Sequence, residues 1–89
     1  MFLPEQLSPE TAPDLRAVLL AAFAAGGPVT VNGHGVVRAG TAALQVLVAA
    51  SRQAERDGVA FQVQAPSPEL REACRDLGLA GWLERWSAR

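Results

Sequence analysis

Three side chains in this 89-residue chain stand out as candidates for chemistry by type and place: Thr41, His34 and Cys74. Thr41 stands where a glycine-rich turn runs into a helical pattern. The first amides of a helix lack intrahelical partners and its dipole makes that end electropositive, so a phosphate carried there would be stabilised. The plainer alternative is that the Thr41 hydroxyl caps the helix by accepting a bond from an amide two or three residues on. His34 lies between Gly33 and Gly35, where an imidazole could move a proton or touch a partner. The sequence puts no second His and no nearby carboxylate or Cys beside it, so a solvated loop histidine is expected. Cys74 falls on the apolar stripe of a helical pattern, where it acts as a small hydrophobe without the electropositive setting that activates a thiol. Gly33, Gly35 and Gly40 match neither the dinucleotide fingerprint nor the phosphate loop, and the chain has no Lys to reach phosphates. They are expected to permit turn geometries that residues with a Cβ resist.

The elements that must position these groups follow from periodicity. Residues 1–6, with Pro4, read as an edge strand or extended arm. Thr11 is placed to cap a helix with Asp14 three residues on and Pro13 in the first turn; Leu15, Val18, Leu19, Ala22 and Phe23 follow at helical spacing until Gly26, Gly27 and Pro28 end it. Val29 and Val31 alternate with Thr30 and Asn32, and Val59, Phe61 and Val63 with Ala60, Gln62 and Gln64, the pattern of two strands with one face covered. Between them residues 41–56 place Leu44, Leu47, Val48, Ser51 and Ala54 on one stripe, closed by Asp57 and Gly58. Strand, helix, strand in that order predicts a right-handed crossover with parallel strands. Ser67 as N-cap and Pro68 at the first helical position open a third helix, closed by Gly78. A short fourth segment puts Leu79, Trp82, Leu83 and Trp86 on one face, the two indoles serving either as core covers or as a docking patch.

Composition excludes several functions. Eight Arg are scattered among nine acids for a net charge of −1, which disfavours the concentrated positive footprint of sequence-independent nucleic-acid binding. One Cys and one His supply no internal disulfide and no metal-ligand set, so no metal or cofactor is expected. The apolar run 17–25 is far shorter than the roughly 20 residues that span a bilayer, and the first residues lack a basic, then apolar, signal pattern. A cytoplasmic protein of one domain, residues 1–89, without direct membrane insertion is expected. No nucleophile with its base and no carboxylate pair can be assembled, so the local chemistry points to a non-enzymatic module.

Four segments, in order, resemble the STAS domain of bacterial anti-sigma-factor antagonists: LPEQL at 3–7, PVTVN at 28–32, GVVRAGTAALQVL at 35–47, and PSPELR at 66–71 leading to LGL at 77–79. The resemblance implies an α/β fold with a small mixed β-sheet, helices packed mainly on one face, and the usual first strand missing. It also implies a junction bearing a Ser or Thr that a partner kinase phosphorylates, and Thr41 falls on that position. The unmodified surface would dock on a GHKL-type ATP-binding kinase, and an added charge of about −1.5 to −2 would release it. Three positions depart from the family pattern: Gly40 and Asn32 stand where acidic residues are usual, and Ala43 where glycine is.

The short form is similar both to stand-alone STAS subunits of phospholipid-transport ABC systems, which hold the ATPase subunit, and to STAS proteins of chemotaxis-type histidine kinases. The expected partner-binding residues are Asn32, Gly33, His34, Gly35, Gly40, Thr41, Ala42 and Gln45. An unpaired sheet edge makes a homodimer by edge pairing a further expectation.

Overall fold

Two short strands of alternating valine or phenylalanine and polar residues form the centre of the structure, a computed structural model that describes residues 1–87. In chain order the elements are β1 (Gln6–Leu7), α1 (Ala12–Ala24), β2 (Val29–Asn32), β3 (Arg38–Ala39), α2 (Thr41–Asp57), β4 (Phe61–Gln64), α3 (Pro68–Asp76) and α4 (Ala80–Trp86). β2 and β4 pair in parallel with Val29 opposite Phe61 and Val31 opposite Val63. Those four side chains are buried, whereas Gln62 and Gln64 on the opposite face are exposed. The period-2 reading holds for β2 and for Phe61–Gln64, while Val59 and Ala60 lie outside β4.

The N-terminal segment is extended, but it is not at the edge. Phe2 bridges Asn32 in parallel, and the Leu3 N–H donates to the Asn32 carbonyl at 2.8 Å. β1 then pairs in parallel with β3, Gln6 opposite Arg38. Pro4, with no N–H to give, stands where the segment leaves one partner for the other. Every pairing among the described residues is parallel. The expected α/β class is present, its strands in two parallel pairs, β1 with β3 and β2 with β4, joined through the Phe2–Asn32 bridge, and no antiparallel strand that would make the sheet mixed is among the described residues.

One apolar cluster joins the covered sheet face to all four helices: Leu15 and Leu19 of α1, Leu44 and Leu47 of α2, Leu70 and Cys74 of α3, and Leu83 of α4. The stripe expected on α2 is buried at all five positions. Losing a side chain such as Leu44 or Leu47 from it would cost about 2–5 kcal/mol. α1 differs at one position of its expected stripe, because Val18 is 49% exposed while Ala12, Leu15 and Leu19 are buried. The 15–19 side of the helix faces the core, and Val18 lies beyond it.

Helix ends explain the boundaries. Gly26 and Gly27 stop α1 with φ of 76° and 90°, and Gly58 closes α2 at φ 67° with its N–H on the Ala54 carbonyl, conformations that a Cβ resists. Thr11 holds the N-cap position of α1 yet makes no side-chain cap, contrary to expectation. Its hydroxyl faces backwards, donating to the Gln6 carbonyl at 2.9 Å and accepting from the Ser8 N–H at 2.9 Å. A Thr hydroxyl can bond local backbone on either side of it, and here the upstream carbonyl takes it. Ser67 does cap α3, accepting from the Leu70 N–H at 3.1 Å.

One of the two buried polar side chains among the described residues is Ser51 on α2, whose Oγ donates to the Val48 carbonyl at 2.6 Å and accepts from the Trp82 indole N–H at 2.9 Å. Trp82 is thereby tied to α2, and Trp86 packs edge-on to Phe61 with centroids 5.9 Å apart. Both indoles are half-buried against the core, which favours the cover over the docking patch. An ion pair from Arg85 to Glu55, with Arg85 also over the Trp86 ring at 4.9 Å, closes α4 onto α2.

Of the glycines, Gly33 has the tightest surroundings. A Cβ there would meet Leu70 Cδ2 at 2.7 Å and the Pro66 Cα at 3.4 Å, and Leu70 is itself buried with little room to swing away. A Cβ at Gly35 would meet nothing within 4 Å. Gly33→Ala should therefore destabilise the fold by about 1–3 kcal/mol, whereas Gly35→Ala should stay within about 0.5 kcal/mol of wild type in urea denaturation.

Candidate functional site

The segment between β2 and β3 is fixed from beneath by the start of α3. The Gly33 N–H donates to the Gln64 carbonyl at 2.9 Å, and the Gly33 carbonyl accepts from the Val36 N–H at 3.3 Å and the Ser67 N–H at 3.0 Å. Ser67 adds a second contact: while its Oγ caps Leu70, the hydroxyl proton goes to the Val36 carbonyl at 2.6 Å. Ser67 is buried, so each of these bonds replaces one that water would make, and the net gain of each is about 1 kcal/mol. The glycines of this loop do not use left-handed backbone, since Gly33, Gly35 and Gly40 all lie outside positive φ. The expectation that they permit turn geometries a Cβ resists is therefore corrected for all three, and the role of Gly33 is instead to let Leu70 and Pro66 approach.

Asn32 has a local function. Its Oδ1 accepts the His34 N–H at 2.9 Å, folding the chain back after β2. The His34 side chain is exposed. After β3 the Gly40 N–H reaches the Leu7 carbonyl at 2.7 Å, and the chain enters α2 with Gly40 as N-cap at φ −100°, ψ 167°.

Thr41 is consequently the first residue of α2 and not its cap, and α2 starts without a side-chain cap hydrogen bond. The capping alternative is overturned because the residue with cap geometry is Gly40, which has no side chain to offer. Thr41, Ala42 and Gln45 are all exposed on the first turn, and Ala43 between them is buried. The stretches that follow β2 and β3 leave the C-terminal ends of parallel strands, so both emerge at one end of the sheet. Of the eight expected docking residues, His34, Gly35, Thr41, Ala42 and Gln45 are exposed, Asn32 and Gly40 half-buried, and Gly33 buried. Gly33 shapes such a surface from below.

Sequence reasoning missed the second bond of Ser67. Its cap signature was plain, but its contact to Val36 spans 31 residues and no local pattern reports it. Cys74 is fully buried on α3, and burial pushes its thiol above the ordinary range, away from the reactive thiolate. Among the described residues no cluster of His, Cys, Asp and Glu could hold a metal ion, and no helix is long and apolar enough to cross a membrane.

The geometry at Thr41 has a measurable consequence. Without a cap bond to lose, Thr41→Ala should change stability by less than about 0.5 kcal/mol, where loss of a true cap costs about 1 kcal/mol. Thr41→Asp should stabilise by about 0.3–1 kcal/mol through the helix dipole, read as a rise in the denaturation midpoint.

Residues 2–85 match the family model described as Mlab, STAS domain. No curated protein and no solved structure gives a significant match. The family match spans nearly the whole chain, across the same segments and the same Thr-bearing junction whose geometry is described above, and the chain belongs to the STAS domain family.

Proposed function

We propose that this protein is a non-enzymatic regulatory binding module of the anti-sigma-factor-antagonist type, which docks on a bacterial kinase or ATPase through the surface around the start of α2. Thr41 is its phosphorylation switch. The observation that carries this reading is the setting of Thr41: exposed, at the first position of a helix of 17 residues, with no cap bond at that end. A phosphate on it would gain from the free amides and the helix dipole within this chain. Against a docked partner the same group would add about −1.5 to −2 charge units to a contact that must be desolvated, and so drive release. The chain works in the cytoplasm as one domain, residues 1–89.

A second reading has the same surface holding the ATPase of a phospholipid-transport ABC system with no covalent switch. It is favoured by Gly40 and Asn32, which stand where the family pattern has acidic residues, and by the engagement of the Asn32 side chain in the turn at His34. Self-association by edge pairing would use β4, whose outer side is bridged only between Val63 and Ser87 among the described residues.

Affinity purification from the native extract, with mass spectrometry of the captured proteins and of the Thr41 peptide, identifies the partner and its modification state. With that partner purified, Thr41→Glu should weaken binding by at least about tenfold while Thr41→Ala stays within about threefold. Equal effects of the two substitutions, with Thr41 unmodified in the extract, would instead assign the scaffold role.

A further inference from the structure

The outer sides of α1 and α2 meet in an open groove of about 350 Å³ that Thr41 itself does not line. Its floor is apolar, made by Leu20, Phe23, Val46 and Ala49, and Leu20 is 51% exposed although it lies in the middle of a helix. Arg16 and Arg56 line the same groove, and no carboxylate does. Neither guanidinium makes an ion pair among the described residues. Arg56 donates to Gln53 Oε1 at 2.8 Å, and only through that amide is Asp57 reached.

An apolar floor beside two positive charges without a direct ion pair selects its occupant by charge as well as by hydrophobicity. A second copy seated face to face would bring four guanidiniums into one desolvated contact, which disfavours self-pairing. A helix with an apolar stripe and carboxylates beside it satisfies both features, the stripe covering the leucine and phenylalanine and the carboxylates pairing with the arginines. We propose that this groove receives an acidic amphipathic helix of the partner protein. The inference rests on the reading of the chain as a protein-binding module and adds a second contact to it. Gln45 belongs both to the groove and to the exposed first turn at Thr41, so the two contacts are continuous along α2.

The test uses the full chain and a fluorescein-labelled helical peptide of about 15 residues, with leucines at i, i+3, i+4 and i+7 flanked by glutamates, and a twin with lysines in their place. Fluorescence anisotropy should show the glutamate peptide binding at least about tenfold more tightly than the lysine twin, with the difference shrinking as salt rises. Leu20→Glu, and separately Arg16→Glu with Arg56→Glu, should each weaken the glutamate peptide by at least about tenfold without altering the melting curve. Thr41→Glu should leave peptide affinity unchanged, which separates this contact from the switch surface. Equal binding of the two peptides, binding of neither, insensitivity to Leu20→Glu, or loss of peptide on Thr41→Glu would each overturn the proposal. So would a dimer of the wild-type chain, seen by sedimentation, that Leu20→Glu dissociates. If the peptide binds as expected while the Thr41 substitutions leave the purified partner unaffected, the groove stands and the switch falls.

Discussion

The hydroxyl of Ser67 joins two parts of the chain that are far apart in sequence. It caps α3 through the Leu70 N–H and donates to the Val36 carbonyl 31 residues earlier, while its own N–H holds the Gly33 carbonyl. The close approach that makes this geometry possible requires Gly33, because any Cβ there would meet Leu70. Removing the hydroxyl would leave a buried carbonyl and a helix amide without partners, at about 1–3 kcal/mol for such a group. The loop that leads to β3 and α2 is therefore seated on α3, and the direction in which Thr41 is presented depends on that seat. Ala65, just ahead of Ser67, has φ 48° although it is not glycine, so the turn that delivers Ser67 to its partners holds one residue in sparsely occupied backbone.

Further along, α2 itself is held by a comparable device. Ser51 is the polar member of its buried stripe, and the Trp82 indole N–H satisfies it from α4. A buried hydroxyl without that donor would be a liability, and with it α4 is registered on α2. The helix is thus fixed by the Ser51–Trp82 bond and by its buried leucines, with the loop ahead of it seated on α3, which leaves its outer side free. That outer side carries exposed Thr41, Ala42 and Gln45 at one end and the arginine-lined groove further along. A module built to bind a protein needs a rigid helix with an unencumbered face, and the core arrangement supplies one.

Much of this was legible in the sequence. Period-2 alternation located β2 and β4, the apolar stripe and Gly58 located α2, and Ser67 with Pro68 located the start of α3, because each is a local signal with a local cause. What escaped were properties decided by neighbours distant in the chain. Thr11 and Thr41 both occupy positions where Thr often caps, yet one hydroxyl bonds backwards to Gln6 and the other follows a glycine that takes the cap geometry itself. The N-terminal segment looked like an edge, since Pro4 disfavours an interior strand, and became interior because its pairing changes sides near that residue. Val18 matched the helical stripe but lies outside the core-facing side of α1. Of the site, the Thr-bearing junction was readable, while the groove was not: it exists only where α1 and α2 pack together, and no spacing within either helix shows which arginines will share it.

Ser67 seats the loop ahead of α2, and amide hydrogen exchange of Ser67→Ala measures that most directly. With that seat removed, the amides of Gly33, Val36 and Ser67 lose at least about tenfold of their protection while those in the centres of α1 and α2 follow only the small change in global stability. Uniform loss across the whole chain, or unchanged protection in the loop, would contradict it.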